Sequence, residues 1–228
     1  PSSTGRRDST RWRTFTRPGA AGTSTSSRNT RGPRHSSLRA YGAIGGGAQM
    51  RQDVDRERIR LFLERLGGRF RRPARIFLVG GTTLVYEGLR EQSLDIDLAI
   101  EVDPQDHGDL MKAIRELKDE LSINVEEASP GDFIPLPVGS ESRHQFVGRF
   151  GNLDVFHFDP YSTALCKIER GRTQDFEDVL KLLDAGRIDW ARLEGCFLDV
   201  LPRFGTQSLK QDPRVFEENF RALEAMRP

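Results

Sequence analysis

The chain has 228 residues and a nearly balanced charge, with 35 Lys and Arg against 34 Asp and Glu. This length can hold one large domain or two small ones. No apolar run approaches the roughly eighteen residues that a membrane span needs, so the sequence predicts a soluble, cytoplasmic protein that does not contact membranes. The two cysteines, Cys166 and Cys196, have neither metal-binding nor redox spacing and are expected to be reduced thiols.

Residues 1–49 differ in composition from the rest of the chain. They contain nine Arg and one Asp, a net charge of +8, whereas the remaining residues carry −7. This Arg- and Ser-rich segment has too few large apolar residues to form a core, so we predict a disordered tail. It could be an organelle transit peptide or an RNA-binding arm. We favour a third interpretation, an untranslated segment, because Met50 directly precedes the first helical pattern and residues 45–47 could be a purine-rich ribosome-binding site read as codons.

The next part of the chain, residues 50–159, mixes helical and strand patterns. Apolar periodicity and turn residues predict its elements. In order, these are a helix over 53–66 ended by Gly67-Gly68, a strand over 76–79, a helix from the Gly80-Gly81 break to about 90, a strand over 95–100, a helix over 104–121, a short strand at 123–125 and a strand pair over 144–150 and 153–158. Thr82 or Thr83 is expected to cap the second helix.

Residues 160–228 show only helical patterns. The predicted helices cover residues 160–170, 173–183, 189–201 and 213–226. Strands followed by helices predict an α/β or α+β fold, in which a mixed β-sheet with flanking helices is followed by a C-terminal helical region.

The strand over residues 95–100 carries the main candidate site. Alternation along a strand places Asp95 and Asp97 on one face and the apolar residues Ile96 and Leu98 on the other, which should face the core. Two like charges at this spacing repel each other unless a cation lies between them. The pair therefore indicates a divalent metal site. The glycine turn at Gly80-Gly81 enters a helix, where backbone N–H groups favour a phosphate chain.

A glycine turn followed, after a helix, by D-x-D in a hydrophobic strand resembles the nucleotidyltransferase superfamily. The resemblance implies that Gly80, Gly81 and Thr82 hold a nucleoside triphosphate (NTP) and that Asp95 and Asp97 bind two Mg²⁺ ions. It also implies a third catalytic, metal-binding carboxylate from a later strand. Leu153-Asp154-Val155 matches that setting, so the role is carried over to Asp154.

Further residues make the chain similar to toxin–antitoxin nucleotidyltransferases of the AbiEii and MenT type. These are Arg90 and Ser93 ahead of the D-x-D, then Lys167 and Arg170 on one helix and spaced acidic residues on the next. The resemblance implies nucleotide contacts from Ser93, Lys167 and Arg170. It implies transfer of a nucleotide to an acceptor, tRNA in some characterised relatives, and a cognate antitoxin as partner. Two alternatives stay open, namely a small-molecule nucleotidyltransferase similar to those that modify aminoglycosides and a non-catalytic nucleotide-binding regulator.

Overall fold

The computed structural model describes residues 52–205 and 212–227. The predicted disorder of residues 1–49 and the proposed start at Met50 lie outside these ranges. The described residues belong to one compact unit. The predicted division at residue 160 falls inside this unit, where the chain changes from strands to helices. Within the described residues, no helix has the length and apolar character needed to cross a membrane.

The described residues form an α/β structure with five strands and seven α-helices. The strands are β1 (Ala74–Leu78), β2 (Asp95–Val102), β3 (Asn124–Glu127), β4 (Gln145–Phe150) and β5 (Leu153–His157). The helices are α1 (Arg56–Arg69), α2 (Gly80–Tyr86), α3 (Pro104–Glu120), α4 (Pro160–Arg170), α5 (Thr173–Asp184), α6 (Trp190–Val200) and α7 (Pro213–Ala225).

The five strands form one mixed sheet in the order β3-β2-β1-β5-β4. β1 runs parallel to β5 and antiparallel to β2, β2 runs parallel to β3, and β4 pairs with β5 as an antiparallel hairpin. The predicted mixed sheet with flanking helices is confirmed. β2 lies between β1 and β3, so the side chains of both neighbours adjoin the D-x-D.

The two faces of the sheet have different roles. One face packs on α1 and α3 and forms the main core, where Ile76, Ile96 and Leu98 are fully buried. The opposite face carries Asp95 and Asp97, together with a smaller apolar cluster of Phe77, Val79, Ala99 and Phe158. Helices α4 to α7 share a separate core with Ile134. The apolar side of β2 therefore anchors the strand in the core, and its acidic side contributes to the candidate site.

Three local predictions were wrong. Gly67 and Gly68 lie inside α1 instead of ending it. A Cβ at Gly67 would lie 2.2 Å from the Phe150 carbonyl oxygen, so glycine allows the β4–β5 turn to contact the helix. Neither Thr82 nor Thr83 caps α2, because both lie within the helix and its N-cap is Val79. α2 also ends at Tyr86, short of the predicted residue 90.

Candidate active site

The two aspartates of β2 lie beside the glycine turn, as expected. Ile96 and Leu98 are fully buried on one face of β2, which leaves Asp95 and Asp97 partly exposed on the other. A Cβ at Gly80 would lie 3.0 Å from Asp97 Oδ2, and Gly80 has a φ of +57°. Glycine is favoured there for both reasons, since other residues rarely adopt this conformation. The turn and the carboxylates therefore form one site.

A third carboxylate, Glu126, adjoins this pair, and sequence reasoning missed it. β3 runs parallel to β2 with Asp97 paired to Glu126 and Asp95 paired to Asn124, so the four side chains share a face. Asn124 Nδ2 donates to Asp95 Oδ1 at 2.6 Å and to Glu126 Oε1 at 3.0 Å. The sequence contained a signal for this position. If Ile123 and Val125 are the buried residues of a strand, alternation places Asn124 and Glu126 on the opposite face.

The three carboxylates create an excess of negative charge at Asp97. Burial, the largest cause, and the charges of Asp95 and Glu126 together raise the pKa of Asp97 from 3.8 to about 6. Arg170 and Lys167 act in the opposite direction but do not cancel the effect. A carboxyl group that resists ionisation in the free protein would be relieved by a nearby cation.

Asp154, the predicted third carboxylate, lies elsewhere on the same face. It is paired with Arg75, which in turn is paired with Glu101, four residues beyond Asp97 on β2. At about 3.3 Å per residue, this places Asp154 about 13 Å along the strands from the level of Asp97. Arg149 donates to both Asp154 oxygens, at 2.6 and 3.0 Å, and Arg75 binds Glu101 at 2.8 Å. Asp154 therefore belongs to a row of alternating charges across four strands.

The predicted nucleotide-binding residues around the glycine turn differ in their accessibility. A Cβ at Gly81 would lie 3.1 Å from Ser93 Oγ and 3.4 Å from Arg90 Nη1, so a hydroxyl and a guanidinium adjoin the turn. Thr82 is fully buried, its hydroxyl accepts from the Asp97 N–H at 2.7 Å, and its own N–H donates to the Val79 carbonyl. Thr82 therefore links α2 to β2 from a buried position. The residues that lie beside the carboxylates are Gly80, Gly81, Ser93 and Arg90.

Lys167 and Arg170 both interact with acidic residues of α5. Lys167 is 2% exposed, and its Nζ lies 2.6 Å from Asp178 Oδ2 and 3.4 Å from Asp175 Oδ1. The Arg170 guanidinium binds Asp175 in a bidentate manner, but its side chain is 47% exposed. Arg90 Nη1 lies 3.4 Å from the same Asp178 oxygen, which links α5 to the glycine turn. Lys167 is therefore buried in its ion pairs with α5, whereas the exposed part of Arg170 can also contact a ligand.

The donor set around Asp97 suits Mg²⁺. Carboxylate oxygens are the protein ligands that this ion prefers, and it commonly takes one or two of them together with substrate phosphates. Among residues 52–205 and 212–227, no three acidic, His or Cys side chains are gathered closely enough to enclose an ion by themselves. A metal at Asp95, Asp97 and Glu126 would therefore need oxygens from a bound phosphate chain as well.

A mixed sheet that carries paired carboxylates beside a glycine turn defines a nucleotidyltransferase-like protein. Comparison with known families agrees with this class. Residues 57–220 match the family described as "nucleotidyltransferase of unknown function (DUF6036)", and the chain belongs to that family. Comparisons with curated proteins and with solved structures found no match.

Proposed function

We propose that the protein is a Mg²⁺-dependent enzyme that transfers a nucleotide from an NTP to an acceptor. The observation that carries this proposal is the placement of Asp95, Asp97 and Glu126 together beside Gly80. A non-catalytic fold has little use for three adjacent carboxylates, because each makes the others harder to ionise. The substrate class makes the cytoplasm the expected compartment.

The described residues suggest a division of roles during transfer. Asp95, Asp97 and Glu126 would hold Mg²⁺, which when bound neutralises the triphosphate and polarises the phosphate under attack. The N–H groups of Gly80 and Gly81 and the Ser93 hydroxyl would bind phosphate oxygens. Glu126 is exposed beside the aspartates, so we assign it to accept the proton of the acceptor hydroxyl.

Two cations would complete the phosphate contacts. The Arg90 guanidinium lies at Gly81, and the exposed part of Arg170 is close enough to lower the pKa of Asp97. Both would offset the charge that develops on the leaving pyrophosphate. Lys167 would act indirectly, because its Nζ holds Asp175 and Asp178 of α5 in place.

The sheet surface next to the carboxylates favours a polynucleotide acceptor. Phe146 is 61% exposed and packs edge-to-face on Phe156, with ring centroids 5.4 Å apart. The Arg75 guanidinium lies 4.9 Å from the Phe156 ring centre, and Arg149 is exposed on the neighbouring strand. Through the strand register, these rings share the face of Asp97. Exposed rings and guanidiniums suit unpaired bases, whereas they would not attract a polycationic aminoglycoside.

We further propose that the acceptor is RNA, with tRNA the first candidate, and that the enzyme acts as a toxin held in check by an antitoxin protein. This part rests on the similarity of the Arg90, Ser93 and D-x-D arrangement to AbiEii and MenT proteins. Growth arrest on expression that is relieved by Asp97→Ala supports it. Normal growth at a high level of folded protein contradicts it.

The decisive experiment incubates the purified protein with each α-labelled NTP, Mg²⁺ and total cellular RNA. We expect label in a tRNA-sized band that disappears with Asp97→Ala and persists with the matched variant Asp154→Asn. Pyrophosphate release only in the presence of small molecules would indicate the aminoglycoside-type alternative. No turnover with any acceptor, combined with measurable NTP binding, would identify a non-catalytic regulator and overturn the proposal.

A further inference from the structure

A separate cavity lies at the end of α2 that is farthest from the glycine turn. It has a volume of about 270 Å³ and is lined chiefly by Arg56, Tyr86, Glu87, His157 and Arg187. His157 shares the helix-covered face of the sheet with Leu153 and Val155, opposite to the face that carries Asp97. The cavity therefore lies apart from the proposed active site, although Phe146 of β4 borders both the cavity and the acceptor surface. Its size suits only a small ligand, since drug-sized molecules occupy roughly 300–1,000 Å³.

The charges around this cavity leave a positive surplus. Arg187 Nε lies 3.0 Å from Glu87 Oε2, so one guanidinium is balanced by one carboxylate. The other guanidinium, Arg56, lies 5.5 Å from the Tyr86 ring centre and has no carboxylate within 4.0 Å among residues 52–205 and 212–227. His157 adds no charge at neutral pH, because burial lowers its pKa to about 4. The cavity thus carries one uncompensated positive charge.

The cavity wall contains two polar side chains, Glu87 and His157, whose burial costs free energy. The Glu87 side chain is 8% exposed, and burial raises its pKa. His157 Nε2 lies 3.6 Å from Glu87 Oε1, and within the described part of the chain its Nδ1 is enclosed without a hydrogen-bond partner. Buried polar groups that lack partners are uncommon in folded proteins and often mark sites that bind ions or water. This is a second indication of a ligand site, independent of the charge surplus.

We propose that this cavity binds a small phosphate-bearing anion between Arg56 and Arg187. Guanidinium groups bind phosphate through paired, charge-assisted hydrogen bonds, and Arg56 and Arg187 both line the cavity. The anion can be inorganic phosphate or the terminal phosphate of a small ester. The site does not depend on the proposed transferase activity.

The test is isothermal titration of the full-length protein with inorganic phosphate and, separately, with glycerol 3-phosphate, in buffer free of other oxyanions. We expect saturable binding that Arg56→Gln weakens at least about tenfold, the typical effect of losing a charged hydrogen bond. Arg60→Gln is the matched control, because Arg60 is exposed on the same helix and, among the described residues, pairs with Glu64 alone. Tighter binding of glycerol 3-phosphate would identify an ester as the ligand, and equal or weaker binding would identify free phosphate.

Two further variants separate this site from the glycine turn and from folding defects. Arg90→Gln removes a guanidinium beside Gly81, so phosphate bound at the glycine turn should be lost from the titration while the Arg56-dependent binding remains. Arg187→Gln would strand the buried Glu87, so the double variant Glu87→Gln/Arg187→Gln is used instead, and it should lose binding while staying folded by circular dichroism. Binding that is absent, binding that is insensitive to Arg56→Gln, or Arg56-dependent binding that Arg90→Gln abolishes overturns the proposal.

Discussion

Asp97 is held in an environment that opposes its ionisation. Because its folded pKa of about 6 exceeds the ordinary value of 3.8, the folded protein binds more protons than the unfolded chain between these pH values. Stability should therefore fall as the pH rises through this window. A shift of this size corresponds to a penalty of at most about 3 kcal/mol above pH 6.

We expect Asp97→Asn to increase the free energy of unfolding of the metal-free protein at pH 7.5 by about 1–3 kcal/mol. The gain should vanish below about pH 3, well under the ordinary pKa of 3.8, where Asp97 is protonated in both states. Urea denaturation in EDTA at the two pH values measures both quantities. The control is Asp154→Asn, which breaks an exposed ion pair and should change stability by less than about 1 kcal/mol. A less stable Asp97→Asn protein at pH 7.5 would contradict this account of the site.

The positions of Glu126 and Asp154 lead to opposite predictions for how their substitution changes the rate of nucleotide transfer. Glu126 adjoins Asp97, whereas Asp154 is held by Arg149 in the row of cross-strand ion pairs. Glu126→Gln should therefore lower the rate of nucleotide transfer by about 10²-fold or more, as expected for loss of a general base. Asp154→Asn should change it less than about threefold. Initial rates at saturating NTP and Mg²⁺ provide the measurement, and the reverse ranking would return the third-carboxylate role to Asp154.

At the level of the elements, α1 contains two adjacent glycines in different surroundings. A Cβ at Gly67 would lie 2.2 Å from the Phe150 carbonyl oxygen, whereas at Gly68 nothing lies within 4 Å. Gly67→Ala must move the β4–β5 turn and should cost about 1–3 kcal/mol, as overpacking does. Gly68→Ala only improves helix propensity and should stabilise the protein by about 0.5–1 kcal/mol.

The two glycine variants can be compared directly by urea denaturation, because they differ by one position in the same helix. Equal effects would mean that α1 does not contact the turn as described. Since β5 pairs with β1, a displaced turn should also disturb the sheet that supports the glycine turn. We therefore expect Gly67→Ala, but not Gly68→Ala, to broaden the unfolding transition or lower its midpoint.

The sequence allowed prediction of those elements whose signal lies within one segment. β2 and the placement of Asp95 and Asp97 followed from period-two alternation, and α3 and α4 from a proline at the start of an apolar periodic run. Strand order and register depend on contacts between distant segments, which a local pattern does not contain. For that reason the third-carboxylate role was assigned to Asp154 from its apolar neighbours in the sequence, and the position of Glu126 beside Asp97 was not predicted. The glycines of α1 were interpreted as a helix end because their packing partner, Phe150, lies more than eighty residues away.

On the scale of the whole molecule, one buried ion network joins the helical region to the site. Lys167 of α4 binds Asp175 and Asp178 of α5, and Asp178 also contacts Arg90, which lies beside Gly81. The sheet and helices α4 to α7 have separate apolar cores, so this network is a specific link between them. It also accounts for the burial of Lys167, which the sequence predicted to contact nucleotide.

The network predicts different consequences for its two basic residues on α4. Lys167→Met leaves the buried Asp178 without its main partner and removes one of the two cations at Asp175, so it should destabilise the protein by about 3–5 kcal/mol. The double variant Lys167→Met/Asp178→Asn should recover most of that loss, because it also removes a stranded charge. Arg170→Gln should cost less, about 1–3 kcal/mol, because the buried Asp175 keeps its contact with Lys167. It should also raise the KM for NTP, because it removes a cation near the phosphates.

Urea denaturation and steady-state kinetics of the three variants separate a structural role from a phosphate contact. If Lys167 contacted phosphate directly, the double variant would be stable but would bind NTP poorly. If it acts by holding α5, the double variant should bind NTP with nearly normal affinity while Arg170→Gln does not. The buried position of Lys167 favours the second result, in which the helical region positions Arg90 and Arg170 around the triphosphate.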